Sequence, residues 1–231
     1  MVVMQDEPSA VVVVEDENEA AGSGSAEELA APRVKLYGKY DCAEVRVVDV
    51  GLQEYINISS VYIPFTSARH TKKRFWKRKL HIVERLINKM GVAGHSGASG
   101  KHMFTSGRNT GKKIMLSNVI ERAFNRIYEK TKKNPVQVLV DAIENAAPRG
   151  EVTSVVFGGV RRPVAVDTAP QRRLDLALSS ISKSIFSKSH GNKKELSDLV
   201  AEELLFAASN DPKSSAIEKR INAERQAEAS R

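Results

Sequence analysis

Seven fixed positive charges fall within fourteen residues of this chain. Residues 66–79 read Thr-Ser-Ala-Arg-His-Thr-Lys-Lys-Arg-Phe-Trp-Lys-Arg-Lys and contain Arg69, Lys72, Lys73, Arg74, Lys77, Arg78 and Lys79 without one acid. Such a run repels itself unless a polyanion neutralises it. Its chemistry is therefore non-covalent: ammonium and guanidinium groups displace counterions from phosphates. Phe75 and Trp76 sit inside the run, where an aromatic ring either wedges onto a core or stacks on a base. A charge run is ordinarily a solvated face. Its length, its lack of acids and the aromatic pair favour phosphate contact, with a localisation signal as the lesser reading.

A second basic pair, Lys112 and Lys113, precedes the strongest helical pattern of the chain. Cations at a helix N-terminus oppose the helix dipole, a placement that phosphate contact would explain. Two nearby pieces approach the pattern of a nucleotide-phosphate loop and miss it. Residues 95–101 lack the first glycine and are followed by His102; residues 107–113 are one residue short. No strand is expected before either, so nucleotide hydrolysis is not expected. His95 and His102 have no carboxylate or cysteine companion with metal-ligand spacing, so no metal site is predicted. Asp141 and Glu144 are read as surface residues beside an apolar stripe. With no second acidic pair, a metal-dependent nucleic-acid enzyme is disfavoured. Cys42 is the single cysteine, which excludes an intrachain disulfide and a cysteine-based zinc site.

The net charge of +8 hides a division. Residues 1–32 hold eight acids and no Lys or Arg, so all 36 basic residues lie beyond them. A body this basic matches a polyanion, nucleic acid first and an anionic membrane second. No apolar run approaches about 18 residues, so no membrane-spanning helix is expected and the chain reads as intracellular. Residues 1–32 are acidic, rich in Ala, Ser and Gly, and without aromatics; they are expected to be a disordered extension. Residues 33–231 are expected to form a single helical RNA-binding domain.

The elements that must position these charges are mostly helices. Leu80, Val83, Leu86, Ile87 and Met90 share one helical face. Leu116, Val119, Ile120, Ala123, Phe124, Ile127 and Tyr128 make the clearest stripe. Asn134 and Pro135 open a helix that Pro148 stops, and Pro170 opens another with Arg172 and Arg173 in its first turn. Two further helices are expected at about 196–209 and 213–229. Residues 91–111, with six glycines, are read as a mobile loop, and 33–65 as short extended pieces with one helical turn. From Val152 to Val166 the residues turn β-branched around Gly158-Gly159, which predicts a hairpin over about 151–167. Its register pairs Phe157 with Val160, Val155 with Arg162 and Thr153 with Val164. The ribbon either packs on its own helices or projects as an arm that docks on a partner through Phe157, Gly158, Gly159, Arg161 and Arg162. The fold class is mainly α: a bundle of about six helices with an inserted two-stranded β-hairpin arm.

Several stretches carry a resemblance to a known family. Residues 82–88 (Ile-Val-Glu-Arg-Leu-Ile-Asn), 134–140 (Asn-Pro-Val-Gln-Val-Leu-Val), 144–149 (Glu-Asn-Ala-Ala-Pro-Arg), 164–167 (Val-Ala-Val-Asp) and 169–178 (Ala-Pro-Gln-Arg-Arg-Leu-Asp-Leu-Ala-Leu) resemble the small-subunit ribosomal protein family called S seven, whose eukaryotic member is called S five. Tyr37-Gly38-Lys39-Tyr40-Asp41 is similar to its archaeal branch. The resemblance spans about residues 34–231. It implies a structural, non-enzymatic protein of the cytoplasmic ribosome that needs no cofactor or small-molecule substrate and has no membrane role. It also implies binding of small-subunit ribosomal RNA, assembly of the subunit head beside neighbouring head proteins, and a hairpin that reaches exit-site tRNA and the mRNA path. Carried over, the 69–79 cluster, Lys112, Lys113, Arg172 and Arg173 would meet ribosomal RNA. The chain departs from relatives in Ser179, Ser180, Ser182, Ser184, Ser187 and Ser189, where a Gly-Ala-Arg segment is typical. Ser154 and Ser215 also replace a usual arginine and tyrosine. A free RNA- or DNA-binding regulator is the alternative reading.

Overall fold

The computed structural model describes residues 34–92, 94–96 and 104–230. The acidic extension expected at 1–32 lies outside the described residues. The helices are α1 (Val50–Gln53), α2 (Ile82–Met90), α3 (Lys113–Thr131), α4 (Pro135–Ala146), α5 (Pro170–Ser189), α6 (Leu196–Ala208) and α7 (Ser215–Ala229). Two short strands, β1 (Gly94–Ser96) and β2 (Phe104–Ser106), pair antiparallel, as do the longer β3 (Gly150–Phe157) and β4 (Val160–Asp167). The mainly α bundle with an inserted hairpin is what the periodicity predicts. The β1–β2 pair corrects the reading of 91–111 as loop alone: three-residue strands carry too little pattern to register against six glycines.

Local chemistry explains most boundaries. The Asn134 side chain accepts from the Val136 N–H, and Pro135 occupies the first helical position, where it has no bond to lose. Asp49 caps α1 and Ser214 caps α7 in the same way. Lys132, at φ +56°, ends α3, its N–H bonding the Tyr128 carbonyl.

The expected apolar face of α2 is buried, with Leu80, Val83, Leu86, Ile87 and Met90 all inside, and Glu84 and Arg85 are buried along with it. The helix meets α3 and α5, while α6 covers α3, α4 and α5. Phe124, Leu139, Ile143, Leu178 and Leu204 belong to this one core. Tyr40 closes its edge, with its ring edge-on to Phe124.

The hairpin leaves this core. Gly158 and Gly159 have φ of +59° and +80°, the two left-handed positions of a primed turn, and the register runs from Phe157–Val160 to Gly150–Asp167. The closing pair of a two-residue turn is hydrogen bonded, so alternation leaves Pro163–Ser154 at a non-bonded pair. There a proline forfeits no bond to its partner strand. Only the root of the ribbon packs, against α7: a side chain at Gly150 would meet Ala227 Cβ at 3.4 Å. Beyond Thr153 the residues are exposed on both faces apart from Ala165, and Phe157 keeps 77% of its surface accessible. The ribbon is therefore a projecting arm, although the valines on its faces are no ordinary solvent surface.

Candidate nucleic-acid interface

The 69–79 run folds as two 3-10 turns, Arg69–Lys72 and Trp76–Lys79, ahead of the buried Leu80. Arg69, Lys72, Lys73, Arg74, Arg78 and Lys79 are exposed, and none forms an ion pair among the described residues. The two aromatics divide their duties. Trp76 is half-buried, with Lys73 Nζ and Lys79 Nζ at 5.0 and 5.4 Å from its ring centroid. Phe75 is 63% exposed, with Arg74 stacked at 4.8 Å. Phe75, Ala68 and Ser67 hold φ values of +66°, +60° and +50°. Side chains rarely adopt that region, and such strain concentrates in loops that present groups to a ligand. Thr66 anchors the near end of the loop: its N–H and hydroxyl both donate to Glu84 Oε1, at 3.0 and 2.9 Å.

The remaining basic candidates are placed differently. Lys77 donates to Asp175 Oδ2 at 2.7 Å, and Arg85 reaches Asp175 Oδ1 at 3.2 Å. Burial pushes the Asp175 carboxyl up, but the Lys77 hydrogen bond and the charges of Lys77, Arg85 and Lys89 outweigh it and hold the group below the usual range. Lys113 donates to the fully buried Glu84 at 2.5 Å and covers the Phe65 ring. Its place at the α3 N-terminus is thus explained inside the protein, by a carboxylate 29 residues earlier. Lys112 remains exposed, without an ion pair among the described residues.

Arg172 and Arg173 fasten the arm. Arg172 grips Glu151 through two bonds of 2.6 Å, a bidentate pair at the ribbon root. Arg173, its side chain 11% exposed, donates to Asp49 Oδ2 at 2.7 Å and to the Pro148 carbonyl at 3.3 Å. The α7 carboxylate Glu224 accepts from the Arg149 N–H at 3.1 Å. Arg161 and Arg162 stay exposed near the tip. Glu144, read from the sequence as a surface residue, is half-buried and accepts the Val48 and Asp49 N–H groups at 2.8 and 3.0 Å. Asp141 accepts from Gln137 at 2.7 Å. Neither is arranged for acid–base work.

Buried polar residues that periodicity did not single out hold this surface in place: Glu84, Arg85, His81 and Glu203. A charge inside an otherwise apolar run, as Glu84-Arg85 is between Val83 and Leu86, was the available signal. His81 Nδ1 accepts the Val83 N–H at 3.2 Å and caps α2, so the ring is neutral with its proton on Nε2, 3.9 Å from Cys42 Sγ. Burial lowers the His81 pKa to about 4, against a smaller opposing pull from Glu84.

A helical body, a cationic loop and a projecting ribbon define a class of basic helical proteins that present charge and backbone rather than a reactive side chain. Residues 52–231 match the family described as Ribosomal protein S7p/S5e, and the chain belongs to that family. Three archaeal relatives, each called small ribosomal subunit protein uS7, are similar to it. That of Nanoarchaeum equitans is 43% identical over 202 residues, covering 86% of this chain and 100% of the relative. Those of Methanosphaera stadtmanae and Archaeoglobus fulgidus are each 42% identical, over 83% and 85% of this chain and 95% and 94% of their own lengths. The chain is accordingly a small-subunit ribosomal protein, a structural part of the ribosome and not an enzyme.

Proposed function

We propose that residues 33–231 form one RNA-binding domain that takes small-subunit ribosomal RNA on the 69–79 loop, helps nucleate the subunit head, and sets the β3–β4 arm beside exit-site tRNA and mRNA. The observation that carries this reading is the loop itself. Six exposed cations without ion pairs among the described residues and an exposed Phe75 sit on a strained backbone anchored to the core by Glu84. Lys112 adds charge beside the loop's anchor. Lys77, Lys113, Arg172 and Arg173 act in this reading mainly by holding the loop and the arm, with Arg172 exposed enough to share itself with a phosphate. The arm's bare valines, Phe157, Arg161 and Arg162 supply both apolar and cationic contacts for a nucleic-acid partner. An exposed apolar strip, Tyr62, Ile63, Phe65 and Ile114, supports contact with neighbouring head proteins. Residues 1–32 are in this reading an acidic extension outside the domain.

The test is salt-dependent binding to a 3′ major-domain RNA fragment. Replacing Lys72, Lys73 and Arg74 with Gln lowers the log–log slope by about 0.7–0.9 per lost phosphate contact. An unchanged slope refutes the loop as the interface. Sedimentation separates this reading from a free regulator, which would not follow the small subunit.

A further inference from the structure

The outer edge of β4 is closed towards the tip of the arm and open at its root. The Thr168 N–H bonds the Arg149 carbonyl at 3.0 Å, which fixes the hydrogen-bonding phase at the root. Ala165 and Asp167 therefore stand at non-bonded pairs, opposite Val152 and Gly150, and turn their N–H and C=O groups away from β3. Neither has a hydrogen bond across that edge among the described residues. Pro163 takes the next outward position towards the tip and has no N–H to offer, which blocks strand pairing there. At the root no proline intervenes, and α7 packs mainly on β3 and only lightly on β4.

The open stretch lines a cavity of about 870 Å³ bounded by α4, α7 and the segment before α1. Carboxylates outnumber guanidiniums around it, although the chain as a whole carries a net charge of +8. Arg173 is committed to Asp49 at 2.7 Å, and Arg220 lies 3.8 Å from Glu224. Glu144 is answered by backbone N–H groups. Asp167 and Glu228 are exposed and have no ion pair among the described residues, with Arg149 left to oppose them. Such a cavity repels a phosphate backbone and attracts a cation.

Backbone and charge together select one kind of occupant. An unpaired sheet edge takes an extended main chain by strand addition. Residues directly opposite each other share a face of the sheet, so a Lys or Arg opposite Asp167 lies beside its carboxylate. Val164 and Val166, each 40% exposed, offer apolar surface on the other face to the alternate residues of the same strand.

We propose that Ala165 and Asp167 take an extended, lysine- or arginine-rich segment of a partner protein as a third strand at the root of the arm. The contact is separate from the apolar strip around Phe65 and does not require the 69–79 loop to bind RNA. The probe is the peptide acetyl-Lys-Val-Lys-Val-Lys-Val-amide, added at millimolar concentration to the full, isotopically labelled chain. At saturation, amide hydrogen exchange read by NMR slows about tenfold at Ala165 and Asp167, while Val164 and Val166, already paired to β3, change little. The same peptide with main-chain N-methyl groups at its lysines keeps its charge but loses the donors that face β4, and it binds at least about tenfold more weakly. Asp167→Asn/Glu228→Gln lowers affinity for the unmethylated peptide about three- to tenfold. Absence of protection at Ala165 and Asp167, equal binding of the methylated peptide, or unchanged affinity in the double variant overturns the proposal. Protection of these two amides by the 3′ major-domain RNA fragment and not by the peptide overturns it as well, since the edge would then belong to the nucleic-acid interface. Each of these failures leaves the loop reading standing, because the salt slope of the loop variant tests that reading on its own.

Discussion

Replacing Lys113 with Gln separates a lysine that holds the protein together from its neighbour that does not. Glu84 is fully buried, and its Oε1 accepts from Thr66 N, Thr66 Oγ1 and Lys113 Nζ, while Oε2 has no hydrogen-bond partner among the described residues. Removing the ammonium leaves a buried carboxylate held by two neutral hydrogen bonds to one oxygen. Breaking a buried pair from one side costs about 3–5 kcal/mol. The Lys113 side chain is 23% exposed, so water partly replaces it, and about 2–3 kcal/mol is the expected loss. For a domain of this size that lowers the melting temperature by about 4–12 °C. Lys112→Gln, one residue away and exposed, changes stability by less than about 0.5 kcal/mol. Thermal and urea unfolding followed by circular dichroism measure both. In the cycle with Glu84→Gln, the double variant loses less than the two singles together. If Lys113→Gln and Lys112→Gln prove equally mild, the buried-pair argument is wrong and Lys113 is free for RNA.

The His81 ring gives a pH dependence. Its folded pKa of about 4 lies below the ordinary 6.5, so the unfolded chain binds the extra proton between those values. Its contribution is therefore complete above pH 6.5 and falls by about 2–3 kcal/mol as the pH drops towards 4. His81→Asn, which keeps an N-cap acceptor, removes that limb from a series of urea melts across this range; an unaltered limb refutes it. Replacing Gly158 and Gly159 with Val strains both left-handed turn positions and disorders the tip. The melting temperature of the bundle stays within a few degrees, and subunits carrying the variant assemble but hold exit-site tRNA poorly. Unfolding of the bundle would instead make the ribbon part of the core. Phe124→Ala empties a fully buried ring position and costs about 3–5 kcal/mol by urea unfolding. Removing residues 1–32 leaves the melting temperature within about a degree or two, since an acidic extension without aromatics contributes little packing.

The signals legible in the sequence are local ones. Helices α3 to α7 follow from apolar spacing and from caps such as Asn134-Pro135, because a helix makes its hydrogen bonds within four residues. The register of the hairpin follows from Gly158-Gly159, because a two-residue turn leaves the strands one way to pair. The excess of charge at 69–79 is likewise a property of the chain alone. What tertiary structure decided is which of those charges remain available. Lys77 meets a carboxylate 98 residues away, Arg173 one 124 residues away, and Lys113 one that an apolar run had hidden inside α2. The same holds for α2, where apolar spacing does not single out Glu84 and Arg85, and α3 and α5 supply Lys113 and Asp175 as their buried partners. A cation's spacing says nothing about its neutralisation. That depends on which acids the packing brings within ion-pair distance, and only the assembled bundle determines it.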